Sequence, residues 1–79
     1  MTPEAITILI QQHLTEAEAS VTGAEGKFTA EVICDDFSGL SMIKRHRMVY
    51  AAVNDEIASG ELHALTIIAK TRKETQDKL

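Results

Sequence analysis

The sequence predicts an α+β domain in the order helix, strand, strand, helix, strand, with the helices packed on a three-stranded mixed sheet. Three observations favour this fold. Apolar residues recur at helical spacing in two segments, alternate with polar residues on both sides of a glycine-rich turn, and form a dense apolar run near the C-terminus. The chain has 79 residues, of which 44% are hydrophobic, and this is enough for one globular domain over 1–79.

The N-terminal segment predicts the first helix, which we expect to end near Thr15. Thr2 suits the N-cap, and Pro3 suits the first helical position because its missing N–H would have no partner there anyway. Apolar residues then recur at intervals of three and four, as on one face of a helix. They are Ile6, Leu9, Ile10 and Leu14. We expect His13 to lie on the inward side of this helix.

The next segment predicts a β-hairpin. Apolar and polar residues alternate on both sides of residues 23–26, and the sequence Gly-Ala-Glu-Gly favours a turn of about four residues. The apolar positions of this alternation are Ala19, Val21, Phe28, Ala30 and Val32. A hairpin pairs its two strands antiparallel.

A long helix is predicted from an N-cap at Ser41 to a stop at Ser59–Gly60. Its apolar residues share one face, on which we expect His46 to pack and Tyr50 to lie in the core with its hydroxyl at the rim. The face consists of Ile43, His46, Val49, Tyr50, Val53 and Ile57. A one-turn break near residues 45–47 is compatible with the same pattern.

The segment from Leu62 to Ala69 predicts the last strand. It is apolar on both alternating faces apart from His63 and Thr66, so we expect it inside the sheet, covered on both sides or paired on both edges. The helix before it permits a right-handed crossover, which would make the second and last strands parallel. The charged tail, 71–79, is expected to be a short helix or frayed.

Composition narrows the function classes. Eight basic against twelve acidic residues give a net charge of −4, which argues against wrapping nucleic acid by bulk charge but not against a local basic patch. The one cysteine, Cys34, cannot form an internal disulfide, and this favours a reducing cytoplasm. Neither a signal peptide nor a membrane-spanning run is evident. We therefore expect a cytoplasmic protein without a membrane partner.

Enzyme motifs are missing from the sequence. It has no Ser-His-Asp order, HExxH, CxxC or phosphate loop, and we expect a non-enzymatic protein. Gly23–Gly26 matches the letters of the GxxG loop that clamps RNA in KH domains. That loop should join two core helices, whereas these residues fall in the predicted hairpin.

Residues 37–50, FSGLSMIKRHRMVY, resemble the helix-turn-helix signature of the BolA family. Asp55-Glu56 and then residues 62–66, LHALT, continue the resemblance, which runs from the first helix to about Thr71 and is nearest to the short bacterial branch. It implies a fold like a type II KH domain. It also implies a monothiol glutaredoxin as partner, alone or around a [2Fe–2S] cluster shared with glutathione, in iron–sulfur delivery or iron sensing.

The resemblance implies that His63 is a cluster ligand, and imidazole suits iron. Cluster-sharing family members usually add a Cys or His from the hairpin loop, but residues 23–27 of this chain, GAEGK, contain neither, and the protonated ammonium of Lys27 has no lone pair to give. The remaining position would fall to Cys34, His46, water or an oxygen donor. Cys34 is otherwise interpreted as a buried, inert thiol.

Lys44, Arg45 and Arg47 form a basic cluster at the start of the long helix. They are candidates for contacts to acidic or glutathione carboxylates of the partner. The alternative is a DNA-binding transcription regulator in which these residues contact phosphate. The same residues could also form an ordinary solvent-exposed helix face without a binding role. We expect this helix start, His63 and the hairpin loop with Lys27 to form one face. The chain itself is expected to be a monomer or weak homodimer.

Overall fold

The computed structural model describes residues 1–76 and confirms the α+β fold. Its elements follow the predicted order, with an extra break in the long helix and a helix at the end. They are α1 (Pro3–His13), β1 (Glu18–Ala24), β2 (Lys27–Ile33), a 3₁₀ turn (Asp35–Phe37), α2 (Met42–Ala52), α3 (Asn54–Ser59), β3 (Ala64–Lys70) and α4 (Arg72–Gln76). The predicted charged tail is thus a short helix as far as Gln76, and its last three positions lie outside the described residues.

The sheet is mixed, with the strand order β1-β2-β3. β1 and β2 pair antiparallel, and β2 and β3 pair parallel with Lys27 opposite Ala64. Both pairings confirm the prediction. Because β2 is central, β3 is an edge strand, and the expectation that the last strand lies inside the sheet is wrong. Its outward residues face solvent, and Ile68 is 38% exposed.

One apolar core lies between the helices and one face of the sheet. The strands contribute their alternate residues, α1 contributes Ile6 and Ile10, and α2 contributes Val49. Phe37, from the 3₁₀ turn, and Cys34 are fully buried in the same core. The helices cover only this face of the sheet, and the side chains of β3 on the opposite face are therefore exposed to solvent.

Local signals at the helix starts are confirmed. The Ala5 N–H donates to the Thr2 hydroxyl over 3.1 Å, and the Lys44 N–H donates to the Ser41 hydroxyl over 3.3 Å. The first helix ends at His13, two residues earlier than predicted. His13 itself is exposed, so its expected inward position is wrong.

The hairpin turn is tighter than the sequence suggested. Gly23 and Ala24 still pair in β1, which leaves a two-residue loop of Glu25 and Gly26. Both loop residues have a positive φ, 56° and 79° respectively. These dihedrals belong to a type I′ turn, whose twist matches that of the strands it joins.

The long helix differs from the prediction in its break and in its buried face. It is interrupted at Val53, whose φ of −125° is not helical, rather than near residues 45–47. Its buried side carries Arg45 and Val49, whereas Ile43 is 65% exposed. On the buried side Arg45 donates to the free Ala69 carbonyl of the edge strand, whereas Tyr50, expected in the core, is 37% exposed and donates its hydroxyl to the Leu65 carbonyl.

Candidate functional site

His63 lies immediately before β3 and is exposed. The hairpin turn holds its backbone, since the N–H groups of His63 and Ala64 both donate to the Gly26 carbonyl, over 2.8 and 3.0 Å. The imidazole lies against Gly26 itself. Within residues 1–76, neither ring nitrogen of His63 makes a hydrogen bond to another group. The ring is therefore free to meet a ligand outside the chain.

Lys27 lies at the same end of the sheet as His63. It begins β2 directly after the turn, pairs with Ala64 in the parallel register, and is exposed. We call the surface formed by Gly26, Lys27 and His63 the histidine end. The structure thus brings together two of the predicted site residues, the histidine and the hairpin lysine.

The structure excludes Cys34 as a second ligand beside His63. Cys34 follows the far end of β2, about 20 Å along the strand from the histidine end, and it is fully buried. Burial raises the pKa of its thiol, which disfavours the thiolate that binds metals. The predicted burial of the thiol is confirmed.

His46 also lies away from the histidine end. It is half-buried beside Arg45 in the first half of α2, at the far end of β3. The described residues contain no cluster of three or more His, Cys, Asp or Glu that could hold a metal ion. The histidine end therefore offers a single imidazole. One imidazole can serve as one ligand of a metal that another molecule mainly holds.

Arg45 is not the surface contact that the sequence suggested. Its side chain is buried, with the residue 5% exposed. Its guanidinium forms a bidentate pair with Glu74 of α4, with N–O distances of 2.6 and 2.9 Å. It also donates to the carbonyls of Leu40 and Ala69 over 3.0 and 3.2 Å. All of these partners belong to the chain, so Arg45 serves the fold.

The arginine pair also changes the acidity of its partner. A hydrogen bond from Arg45, assisted by one from the Thr71 N–H, lowers the pKa of Glu74 from 4.5 to about 2. Glu74 and Thr71 cap α4 reciprocally, because the Glu74 N–H donates to the Thr71 hydroxyl over 3.1 Å. The sequence Thr71-Arg72-Lys73-Glu74 has the spacing of a capping box. This spacing could have predicted the start of α4, the helix that carries the glutamate paired with Arg45.

Lys44 and Arg47 remain exposed, as predicted. α2 runs opposite to β3, because Arg45 reaches the Ala69 carbonyl while the Tyr50 hydroxyl donates to the Leu65 carbonyl over 3.1 Å. The first half of α2 therefore lies toward the end of β3 that is far from His63. We call the surface of Lys44 and Arg47 the basic helix surface. The predicted single face does not form; the structure has two separate surfaces.

Comparison with known proteins identifies the family. A family model described as BolA-like protein matches residues 1–74, nearly the whole chain. The chain belongs to the BolA family. A relative from Acinetobacter guillouiae, described as an uncharacterized protein in the rpoN-murA intergenic region, is 39% identical over 74 residues, which cover 94% of this chain and 89% of the relative.

Solved BolA structures share the fold. A BolA homologue from Coxiella burnetii superposes with a TM-score of 0.87 at 32% identity and covers 96% of this chain and 97% of its own. The BolA domain of SufE1 from Arabidopsis thaliana gives 0.79 at 34% identity, covering 91% and 93%. In seven other curated relatives, the matched part makes up 16% to 54% of a longer protein.

No helix within residues 1–76 is both long and apolar enough to cross a membrane.

Proposed function

We propose that this BolA-family protein is an adaptor that binds a monothiol glutaredoxin through the histidine end. His63 would offer its imidazole to an iron of a [2Fe–2S] cluster that the glutaredoxin and glutathione hold. The observation that carries this proposal is the exposure of the His63 ring on a backbone fixed by the hairpin turn. A held, solvent-facing imidazole is a preorganised ligand for a metal carried by a partner.

The ligand set of this chain supports an unequal sharing of the cluster. At the histidine end, His63 is the one donor suited to iron, and the hairpin loop, residues 23–27, holds neither a Cys nor a His as a second. The protonated Lys27 ammonium donates hydrogen bonds and binds carboxylates. In the proposed complex Lys27 would therefore contact a carboxylate of glutathione or of the partner, while the partner and glutathione supply the other cluster ligands.

Bound in this way, the cluster would supply an iron whose ligand can exchange between thiolate and imidazole. Imidazole in place of thiolate raises the reduction potential of a cluster. The contribution of this chain is to present the ring, to cover one side of the cluster and to hold the adjoining carboxylate. These roles need surface complementarity rather than an enclosed catalytic pocket.

The test is to titrate a cluster-loaded monothiol glutaredoxin with the protein under anaerobic conditions and record visible circular dichroism. We expect the spectrum to change with the wild type and with His13→Ala, which removes an exposed histidine on α1, but much less with His63→Ala. Lys27→Ala should weaken binding while keeping the spectral change at saturation. An unchanged wild-type spectrum together with no heat of binding would reject the adaptor function.

A second candidate is DNA binding through the basic helix surface. The exposure of Lys44 and Arg47 at the start of α2 favours it, although the burial of Arg45 removes one of three predicted phosphate contacts. Two such contacts would give a salt dependence with a slope of about −2. Fluorescence anisotropy with duplex DNA at several salt concentrations tests this. No binding at low salt, or binding that Lys44→Ala with Arg47→Ala leaves unchanged, would exclude it.

A further inference from the structure

Gly26 has two structural roles in the hairpin turn. Its φ of 79° favours glycine, and its carbonyl accepts the N–H groups of His63 and Ala64. A Cβ atom built on Gly26 would overlap Cδ2 of the His63 ring and would come within 3.1 Å of Cγ and 3.4 Å of Cβ. The imidazole therefore occupies the space that any other side chain at position 26 would need.

The three atoms of His63 nearest to that space are all carbon. The turn thus supports the Cδ2–Cγ edge of the ring, and neither ring nitrogen is among the three atoms closest to that space. A ring supported on this edge loses less rotamer freedom when it binds a ligand, because part of that freedom is already lost.

We infer that Gly26 is a positioning residue for His63: the absence of a side chain lets the imidazole rest on the turn with both nitrogens facing outward. The use of that orientation rests on the proposed function, whereas the orientation itself does not. Gly26 would act through His63 and need not touch the metal or the partner.

Gly60 provides a matched control within the same chain. Its φ of 83° is nearly that of Gly26, but nothing lies within 4 Å of a Cβ built on it. Alanine at either position would have to adopt a similar positive φ, and only alanine at 26 meets the histidine ring. Asparagine tolerates positive φ better than alanine, so Gly26→Asn and Gly60→Asn separate the clash from the strain if Gly26→Ala folds poorly.

The first test is a double-mutant cycle on thermal unfolding, which needs no partner. We expect the Tm decrease caused by Gly26→Ala to be smaller by about 4 °C or more when residue 63 is alanine. Gly60→Ala should lower Tm equally in both backgrounds. Equal decreases for Gly26→Ala, or for Gly26→Asn, with and without the His63 ring would overturn the inference.

The second test is NMR of the His63 ring in the full chain. In the wild type we expect a nuclear Overhauser effect between the Gly26 α-protons and the His63 Hδ2 proton. Gly26→Asn should remove this effect and shift the ring signals, and Gly60→Asn should preserve both. Ring signals that do not respond to the change at 26 would overturn the inference.

The third test links position to function. In the glutaredoxin titration we expect Gly26→Asn to weaken the cluster-dependent complex about tenfold, as for other changes next to a metal ligand, and Gly60→Asn to leave it unchanged. If wild-type protein does not bind the glutaredoxin, the proposed function fails, and the unfolding and NMR experiments still decide whether Gly26 positions His63.

Discussion

At the residue scale, position decides what each basic side chain does. Lys44, Arg45 and Arg47 lie within four consecutive positions of the sequence and were equivalent candidates for a partner contact. In the structure Arg45 points into the protein and binds Glu74 and two backbone carbonyls, while its two neighbours face solvent. The types of the three residues do not distinguish them. The rotation of α2 about its axis does, because successive residues of a helix point about 100° apart.

The Arg45–Glu74 pair predicts how stability depends on pH. Because the pKa of Glu74 is lowered from 4.5 to about 2 in the folded protein, the unfolded chain takes up the proton first as pH falls. The stabilisation is present above about pH 4.5 and is lost as pH falls toward 2. Glu74→Gln should remove this part of the pH dependence.

Urea unfolding near neutral pH and at about pH 3 measures the effect. The loss of unfolding free energy between the two pH values should be smaller in Glu74→Gln than in the wild type. Glu61→Gln, which changes an exposed glutamate without a salt bridge to any described residue, is the control and should behave as the wild type. Identical pH profiles for all three proteins would contradict the role of the pair.

At the element scale, periodicity predicted the existence of the helices and strands better than it predicted which side of each is buried. Alternation and helical spacing predicted the hairpin, the parallel crossover and the order of elements. The pattern in α2 was ambiguous, because apolar residues lie on both sides of this helix. The side that carries Arg45 and Val49 is buried because Val49 packs in the core and Arg45 must reach the free Ala69 carbonyl of β3. That requirement depends on which strand is at the edge, and no local pattern contains it.

The orientation of α2 predicts that two similar truncations to alanine differ strongly in their effect on the free energy of unfolding. Val49→Ala should lower the free energy of unfolding by about 1 to 3 kcal/mol, because Val49 is fully buried. Ile43→Ala removes a larger apolar side chain from an exposed position and should change it by no more than about 0.5 kcal/mol. Urea denaturation at one pH compares them. A larger loss for Ile43→Ala would mean that the helix faces the other way.

At the scale of the whole molecule, two functional candidates lie at separate places. The histidine end lies at the start of β3, and the basic helix surface lies toward its other end, about 20 Å along the strand. The sequence identified His63, Lys27, Lys44 and Arg47 as exposed candidates. The expected proximity of Lys27 and His63 is found, but the expected proximity of Lys44 and Arg47 to them is not, because the antiparallel course of α2 over β3 is a tertiary property. Gly26 was missed for the same reason, since its contact with His63 joins residues far apart in sequence.

This separation predicts that the two surfaces act independently. The double variant Lys44→Ala, Arg47→Ala should bind cluster-loaded glutaredoxin within about twofold of the wild type, because distant sites contribute additively. It should also lose whatever DNA affinity the chain has. Isothermal titration calorimetry and anisotropy measure the two affinities. A large loss of glutaredoxin binding would place the partner on α2 instead of at the histidine end.

The most direct measurement is pulsed electron paramagnetic resonance on the reduced cluster of the complex, with ¹⁵N-histidine incorporated only in this chain. Hyperfine coupling to ¹⁵N is expected in the wild type and in His13→Ala, and none is expected in His63→Ala. A complex whose cluster shows no ¹⁵N coupling, or shows the same coupling without the ring at position 63, would contradict the assignment of His63 as an iron ligand.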